Sequence, residues 1–342
     1  MNFAVVAQAL RSVGLVPARL AAYGGTATIA HVPRMARPRA WATVTPQAAI
    51  PLMLWCDGAT VAEAAAHRAL GQHFDDLCAA GFITVNAGQV RALFAVLPID
   101  RGFVCFDFTQ TDDVAPNEDL ATGDKTDARV CWPDDSSHHL LGALPCGPAV
   151  RVARWLDVGT GPAFAPLLRP RLAEQIVASN INPRALAMAA RGLGLSELTH
   201  IQTILADGAP TSAGMFDLIT CNAPIPAPVP TTSWHFAPAK VLQDFLQVAP
   251  RYLLPDGTII LHALLGPNEL AMLRRQRGTA HVTSYTNPSI AEANDVTRTA
   301  GFAVLWWQPH RPGPLTSSYR ALTVQRPHID AADHPAWWAE AT

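Results

Sequence analysis

Over the first eighty positions apolar residues recur at three- and four-residue spacing in short, alanine-rich runs: Phe3 to Val13, a segment near Pro51 to Trp55, Val61 to Leu70, and His73 to Ala80. That period predicts short amphipathic helices. The period then changes to two. Phe82-Ile83-Thr84-Val85, a turn at Asn86-Ala87-Gly88, and Val90 to Leu97 predict a β-hairpin, followed by a strand at Gly102 to Phe108.

Residues 109–137 are polar, acidic and turn-rich, so 106–137 reads as a linker and surface loop. Beyond it, apolar runs alternate with helical stretches: Val152 to Val158, Gln175 to Ala178, Ile201 to Leu205, Phe216 to Cys221 and Thr258 to Leu264. This alternation predicts a parallel, doubly wound α/β sheet over 138–328, with 329–342 as a tail. Gly301 to Trp307 and Tyr319 to Val324 are two further strands, joined by the loop Gln308 to Pro314 in an expected closing hairpin.

Composition narrows the function. The 342 residues are 49% hydrophobic and 15% charged, a globular balance with a net charge of −2. Residues 1–150 hold 10 basic and 14 acidic side chains (−4), and the remainder 15 and 13 (+2). Neither half carries the basic excess of a phosphate-backbone binder, so nucleic acid is not expected as a partner. The six cysteines include no C-x-x-C pair and suggest neither a zinc site nor a disulfide framework. No signal-peptide pattern is legible at the N-terminus and the apolar run from Thr258 to Pro267 is too short to span a bilayer, so a cytoplasmic protein without a membrane partner is expected. Oligomeric state is open.

The sharpest chemical signal is Trp155-Leu156-Asp157-Val158-Gly159-Thr160-Gly161-Pro162, an apolar strand running into a glycine-rich turn. Gly159 and Gly161 let backbone approach a ligand at the carboxyl end of a strand. The third glycine of the dinucleotide fingerprint is missing, and no phosphate loop occurs, which disfavours NAD and ATP. After the second strand comes Asn180-Ile181-Asn182-Pro183-Arg184-Ala185-Leu186, at the spacing of a ribose-contacting residue. After the third comes Asp207-Gly208, a carboxylate beside a turn, and after the fourth Asn222-Ala223-Pro224-Ile225.

These motifs, in this order, resemble the class I S-adenosylmethionine (SAM)-dependent methyltransferases, in particular the glutamine N-methyltransferase and small-domain group. The resemblance spans about residues 138 to 326 and implies a Rossmann-like, seven-stranded sheet. It implies that Asp157, Gly159, Thr160 and Gly161 cradle the methionine part of SAM, Asn180 and Ile181 the ribose side, and Asp207 and Gly208 the adenine. Asn222 would then face the acceptor, with the carbonyl of Ala223 also accepting a hydrogen bond from the target nitrogen. The group's N-P-P-[YF] motif reads here Asn222-Ala223-Pro224-Ile225, so isoleucine replaces the stacking ring. Asn180 stands where an acidic residue is usual, which weakens the ribose contact by about 1 kcal/mol.

Helices followed by a hairpin is the winged-helix order, and residues 1–105 are read as a mainly helical, winged-helix-like domain. Its would-be recognition helix carries Asp75 and Asp76, which argues against DNA. Further candidates are His138 and His139 as general bases just before the first strand, and Trp234 and His235 on the acceptor rim. No metal is expected. The function this implies is SAM-dependent methyl transfer to a small molecule at nitrogen. One rival uses SAM itself as substrate, its amine closing a ring on the aminobutyryl arm and expelling methylthioadenosine. A second is a SAM-sensing winged-helix regulator without catalysis.

Overall fold

A computed structural model describes residues 2–24, 45–108, 130–131, 133, 135–146, 150–210, 213–226, 236–276, 278–284 and 301–319. Helix α1 (Phe3–Ser12) starts at Asn2, whose Oδ1 accepts from the Val5 amide, and buries Val6, Ala7, Ala9 and Leu10. Helix α2 (Pro17–Gly24) follows after a break, and α3 (Pro46–Trp55) is capped by the Thr45 hydroxyl. By length and composition Phe3–Leu20 could cross a membrane, but 44% of it is buried inside the protein, on a helix of the main domain.

The predicted helix at Val61 starts two residues late. Val61–Ala62 is a strand, β1, in which Val61 pairs with Val90; helix α4 (Glu63–Leu70) follows, then α5 (Phe74–Ala79). The β-branched Val61 is better used in a ladder than in a helical first turn. Strands β2 (Ile83–Asn86) and β3 (Gln89–Ala92) complete a three-stranded sheet in the order β1-β3-β2. The long strand expected from Val90 to Leu97 divides: β4 (Ala95–Ile99) turns away and pairs with β5 (Gly102–Phe106) in a hairpin of its own. Every residue of its two strands is buried, and only the turn, Asp100 and Arg101, is exposed.

Helix α6 (Asp135–Ala143) opens the main domain inside the segment read as linker and loop, so His138 and His139 lie on a helix rather than in a turn. Then follow β6 (Val152–Val158), α7 (Phe164–Leu168), β7 (Ala173–Asn180), α8 (Pro183–Leu195), β8 (Ile201–Leu205) and β9 (Phe216–Asn222). The short pair β10 (Ile225–Pro226) and β11 (Phe236–Ala237) precedes α9 (Ala239–Val248), β12 (Leu253–Leu265), α10 (Pro267–Arg275), β13 (Gly278–Ser284), β14 (Gly301–Pro312) and β15 (Leu315–Tyr319).

The central sheet has the order β15-β13-β14-β12-β9-β6-β7-β8, and the five strands from β12 to β8 are parallel. Among the described residues it has eight strands, where seven were expected. Among the described residues β14 and β15 both pair with β13, antiparallel and parallel respectively, and not with each other; all but the first residue of the expected strand Tyr319 to Val324 lies outside them. Strand β13 escaped prediction because Gly278-Thr279-Ala280-His281 interrupts its apolar alternation.

The two sheet faces bury different partners. Leu156, Val177, Ile219, Leu261 and Leu305 pack with Leu242 and Leu246 of α9 and Leu270 of α10. Trp155, Ile176, Ala178, Leu218, Ile260 and Val304 share one continuous core with Leu193 of α8 and with Leu10, Trp55 and Phe103 of the N-terminal region. The run Arg191-Gly192-Leu193-Gly194 explains how α8 accepts that region. A Cβ on Gly192 would stand 2.9 Å from the Phe103 carbonyl oxygen, and one on Gly194 would stand 2.4 Å from the Phe3 ring. Each glycine costs about 1 kcal/mol of helix propensity and permits the close approach.

Candidate functional site

The parallel strands bring the motifs together along one edge. The β6–α7 turn contains Gly159 (φ +66°) and Gly161 (φ +56°), in the left-handed region that disfavours any side chain. A Cβ on either would meet no protein atom within 4 Å, so both glycines border open space where a ligand can lie against backbone. The turn is tied to β7 by the Thr160 amide, which donates to the Ser179 carbonyl at 2.9 Å. Ser179 in turn donates its hydroxyl to the Gly208 carbonyl at 3.0 Å, joining the ends of β7 and β8.

Asp157 does not face this space. It is 4% exposed, and its two carboxylate oxygens accept the hydroxyls of Thr160 at 2.6 Å and Thr220 at 2.5 Å. Thr220 accepts the indole N–H of Trp155 at 2.7 Å, closing a buried chain across β6 and β9. Asp157 was expected in the cradle, and in the structure it shapes the turn from beneath through Thr160. Burial pushes its carboxyl up to about 6, against the two hydroxyl hydrogen bonds, which lower it.

Asn180 is half-buried at the end of β7, and its Oδ1 accepts from the Asn182 amide at 2.9 Å. Asn182 caps α8 through a bond from the Arg184 amide at 2.9 Å, with Pro183 in the first helical turn. Ile181 and Leu205 stand 56% and 61% exposed beside one another at the ends of β7 and β8, and Asp207 is exposed just beyond. Two uncovered aliphatic side chains flanked by an amide and a carboxylate fit a nucleoside, apolar on its base face and polar at ribose and exocyclic amine. Asn180, Ile181, Asp207, Gly208, Gly159 and Gly161 thus all lie at the carboxyl ends of β6, β7 and β8.

Asn222 ends β9, half-buried, on the sheet face covered by α6. Its carboxamide is held at both ends: Nδ2 donates to Ser136 Oγ at 2.7 Å and lies 3.4 Å from Ser137 Oγ, while Oδ1 lies 3.1 Å from His262 Nδ1. The carboxamide expected to face the acceptor is braced between α6 and β12. Ala223, Pro224 and Ile225 are half-buried, and the Ala223 amide donates to the His262 carbonyl at 2.9 Å. His139 is half-buried with its ring 5.7 Å from that of His262, whereas His138 is buried with its ring 5.1 Å from Phe164. Trp234 and His235 lie outside the described residues.

Ser136, Ser137, Thr220 and His262 were not singled out from sequence. His262 had a signal: it is the lone polar side chain within the apolar run Ile259 to Leu264, where a buried ring nitrogen demands a partner. The serines had none, because their helix was read as loop.

Residues 132–287 match the family model described as the methyltransferase small domain. No curated protein matches the chain. Among solved structures, the chain is similar to a 16S rRNA methyltransferase of T. thermophilus in complex with AdoMet and guanosine (19% identity, 72% of this chain and 63% of that one, TM-score 0.41). It is also similar to the ribosomal protein L11 methylase of Lactobacillus delbrueckii subsp. bulgaricus (18%, 50% and 74%, TM-score 0.35). A third similarity is to the precorrin-6y C5,15-methyltransferase of Geobacter metallireducens (14%, 58% and 94%, TM-score 0.36). The mostly parallel sheet, the glycine turn and the nucleoside rim fit SAM. Residues 132–287, just under half of the chain, are therefore the part similar to methyltransferase small domains, and they carry the Rossmann-like sheet.

Proposed function

We propose that this protein methylates a small molecule at nitrogen. The observation that carries the reading is the position of Asn222 and Ala223, at the carboxyl end of the strand next to the glycine turn and under α6. Bound SAM supplies an electrophilic methyl group. Asn222 Oδ1 has two lone pairs and His262 occupies one, so the second can accept an N–H of the acceptor, as can the Ala223 carbonyl. Two such bonds aim a nitrogen lone pair without acid chemistry. His139 on α6, its ring 5.7 Å from that of His262, is the candidate to take up the released proton.

A small acceptor is supported by Ile225 in place of a stacking ring and by the net charge of −2. The N-terminal order α3, β1, α4, α5, β2, β3, with β1 beside β3, supports the winged-helix-like reading, and its acidic balance favours a packing role over DNA binding. The test is SAM carrying a labelled methyl group, offered with a panel of small amines and amides or with total RNA. Label in a small amine or amide is expected. Label only in RNA would overturn the small-molecule reading.

A further inference from the structure

We infer that His262 is a positioning residue that sets which end of the Asn222 carboxamide the acceptor meets. The inference rests on the reading that Asn222 receives the acceptor. A carboxamide has two faces of opposite chemistry: a carbonyl that accepts an N–H, and an NH2 that repels one. The parallel register of β9 and β12 sets His262 opposite Asn222. Both residues share the sheet face packed by α6.

Four contacts hold the carboxamide in the sense observed. A carbonyl oxygen only accepts, so the 3.1 Å contact between Asn222 Oδ1 and His262 Nδ1 requires the proton on Nδ1. At the other end Nδ2 donates to Ser136 Oγ, with Ser137 Oγ behind it. The imidazole cannot swing away, being 3% exposed and stacked on Phe302 at 6.0 Å and 13°. The Ala223 amide on the His262 carbonyl locks the backbone beneath it at 2.9 Å. The NH2 end is thereby turned to α6, and the open lone pair of Oδ1 is what remains for an N–H acceptor.

The experiment uses the full chain labelled with 15N-asparagine, with the Asn222 side-chain amide pair assigned by its loss in Asn222→Asp. In His262→Leu that pair should shift and exchange with water about tenfold faster, the equivalent of one lost hydrogen bond. His262→Asn, whose Nδ2 stands where the imidazole Nδ1 stood, should return both toward the parent values. S-adenosylhomocysteine affinity, used as the probe of the cofactor side, should change by less than about twofold in both variants. An unmoved Asn222 pair in His262→Leu, or His262→Asn behaving like His262→Leu, would overturn the inference. If His262→Leu does not fold, Ser136→Ala removes the opposite brace and should produce the same shift; an unchanged pair there overturns it too. The amide readout needs no turnover, so it fails or succeeds independently of the methyl-transfer reading.

Discussion

The Asp107 carboxylate grips the Arg184 guanidinium with both oxygens, Nε to Oδ2 at 2.7 Å and NH2 to Oδ1 at 2.5 Å. Asp107 is buried just past the end of β5 and also accepts the Val130 amide at 2.8 Å, while Arg184 occupies the first turn of α8 beside the ribose rim. The N-terminal region is thus bolted to the first turn of α8, beside the proposed nucleoside site.

Asp107→Ala leaves a guanidinium and a backbone amide without their acceptor. Because the Arg184 side chain is 38% exposed, the loss is set below that of a fully buried pair, at about 2–3 kcal/mol. Urea denaturation checks this, and a change under about 0.5 kcal/mol would remove the clamp from the account.

Gly192→Ala tests the seam between α8 and the second hairpin. Alanine is the better helix former by about 1 kcal/mol, yet its Cβ meets the Phe103 carbonyl at 2.9 Å, so a net loss of about 1–2 kcal/mol is expected. Gly142 in α6 has nothing within 4 Å of its Cβ, so Gly142→Ala should be neutral or stabilising in the same thermal melt.

The fold was readable where period and turn chemistry agreed. The five parallel strands follow from apolar runs punctuated by turns, and the residues proposed to line the cofactor, Gly159, Gly161, Asn180 and Asp207, stand at their ends. What escaped was tertiary in origin. Val61 joins a ladder only because Val90 is there to pair with it, and β13 reads poorly because its alternation is completed by β14 and β15. Asp157 and Asn222 were found by motif, but their orientation depends on Thr220, Ser136 and His262, which come from other strands and a helix far away in sequence.

Asp157 makes stability depend on pH. Its folded-state value of about 6 lies above the ordinary 3.8, so the folded protein holds a proton that the unfolded chain releases between them. The stability this contributes is complete below pH 3.8 and is lost as pH rises through about 6. Asp157→Asn removes that loss and should gain up to about 3 kcal/mol over the parent at about pH 8, with the advantage vanishing below about pH 4. Parallel denaturation curves across this range check it. An advantage independent of pH would place the buried charge elsewhere.

Asn180→Asp restores a charged acceptor at the ribose position while keeping the oxygen that receives the Asn182 amide. SAM should bind about fivefold tighter, equivalent to about 1 kcal/mol, by isothermal titration calorimetry. Weaker binding would mean that Asn180 does not contact the ribose.

The central claim is transfer of the SAM methyl group to a separate acceptor. Its most direct test is incubation of the purified protein with SAM, alone and with a protein-free small-molecule extract, followed by mass spectrometry of the nucleoside products. Acceptor-dependent S-adenosylhomocysteine, lost in Asn222→Ala, is the predicted result. Methylthioadenosine formed from SAM alone, above the spontaneous background and with a matching four-carbon product, would contradict it.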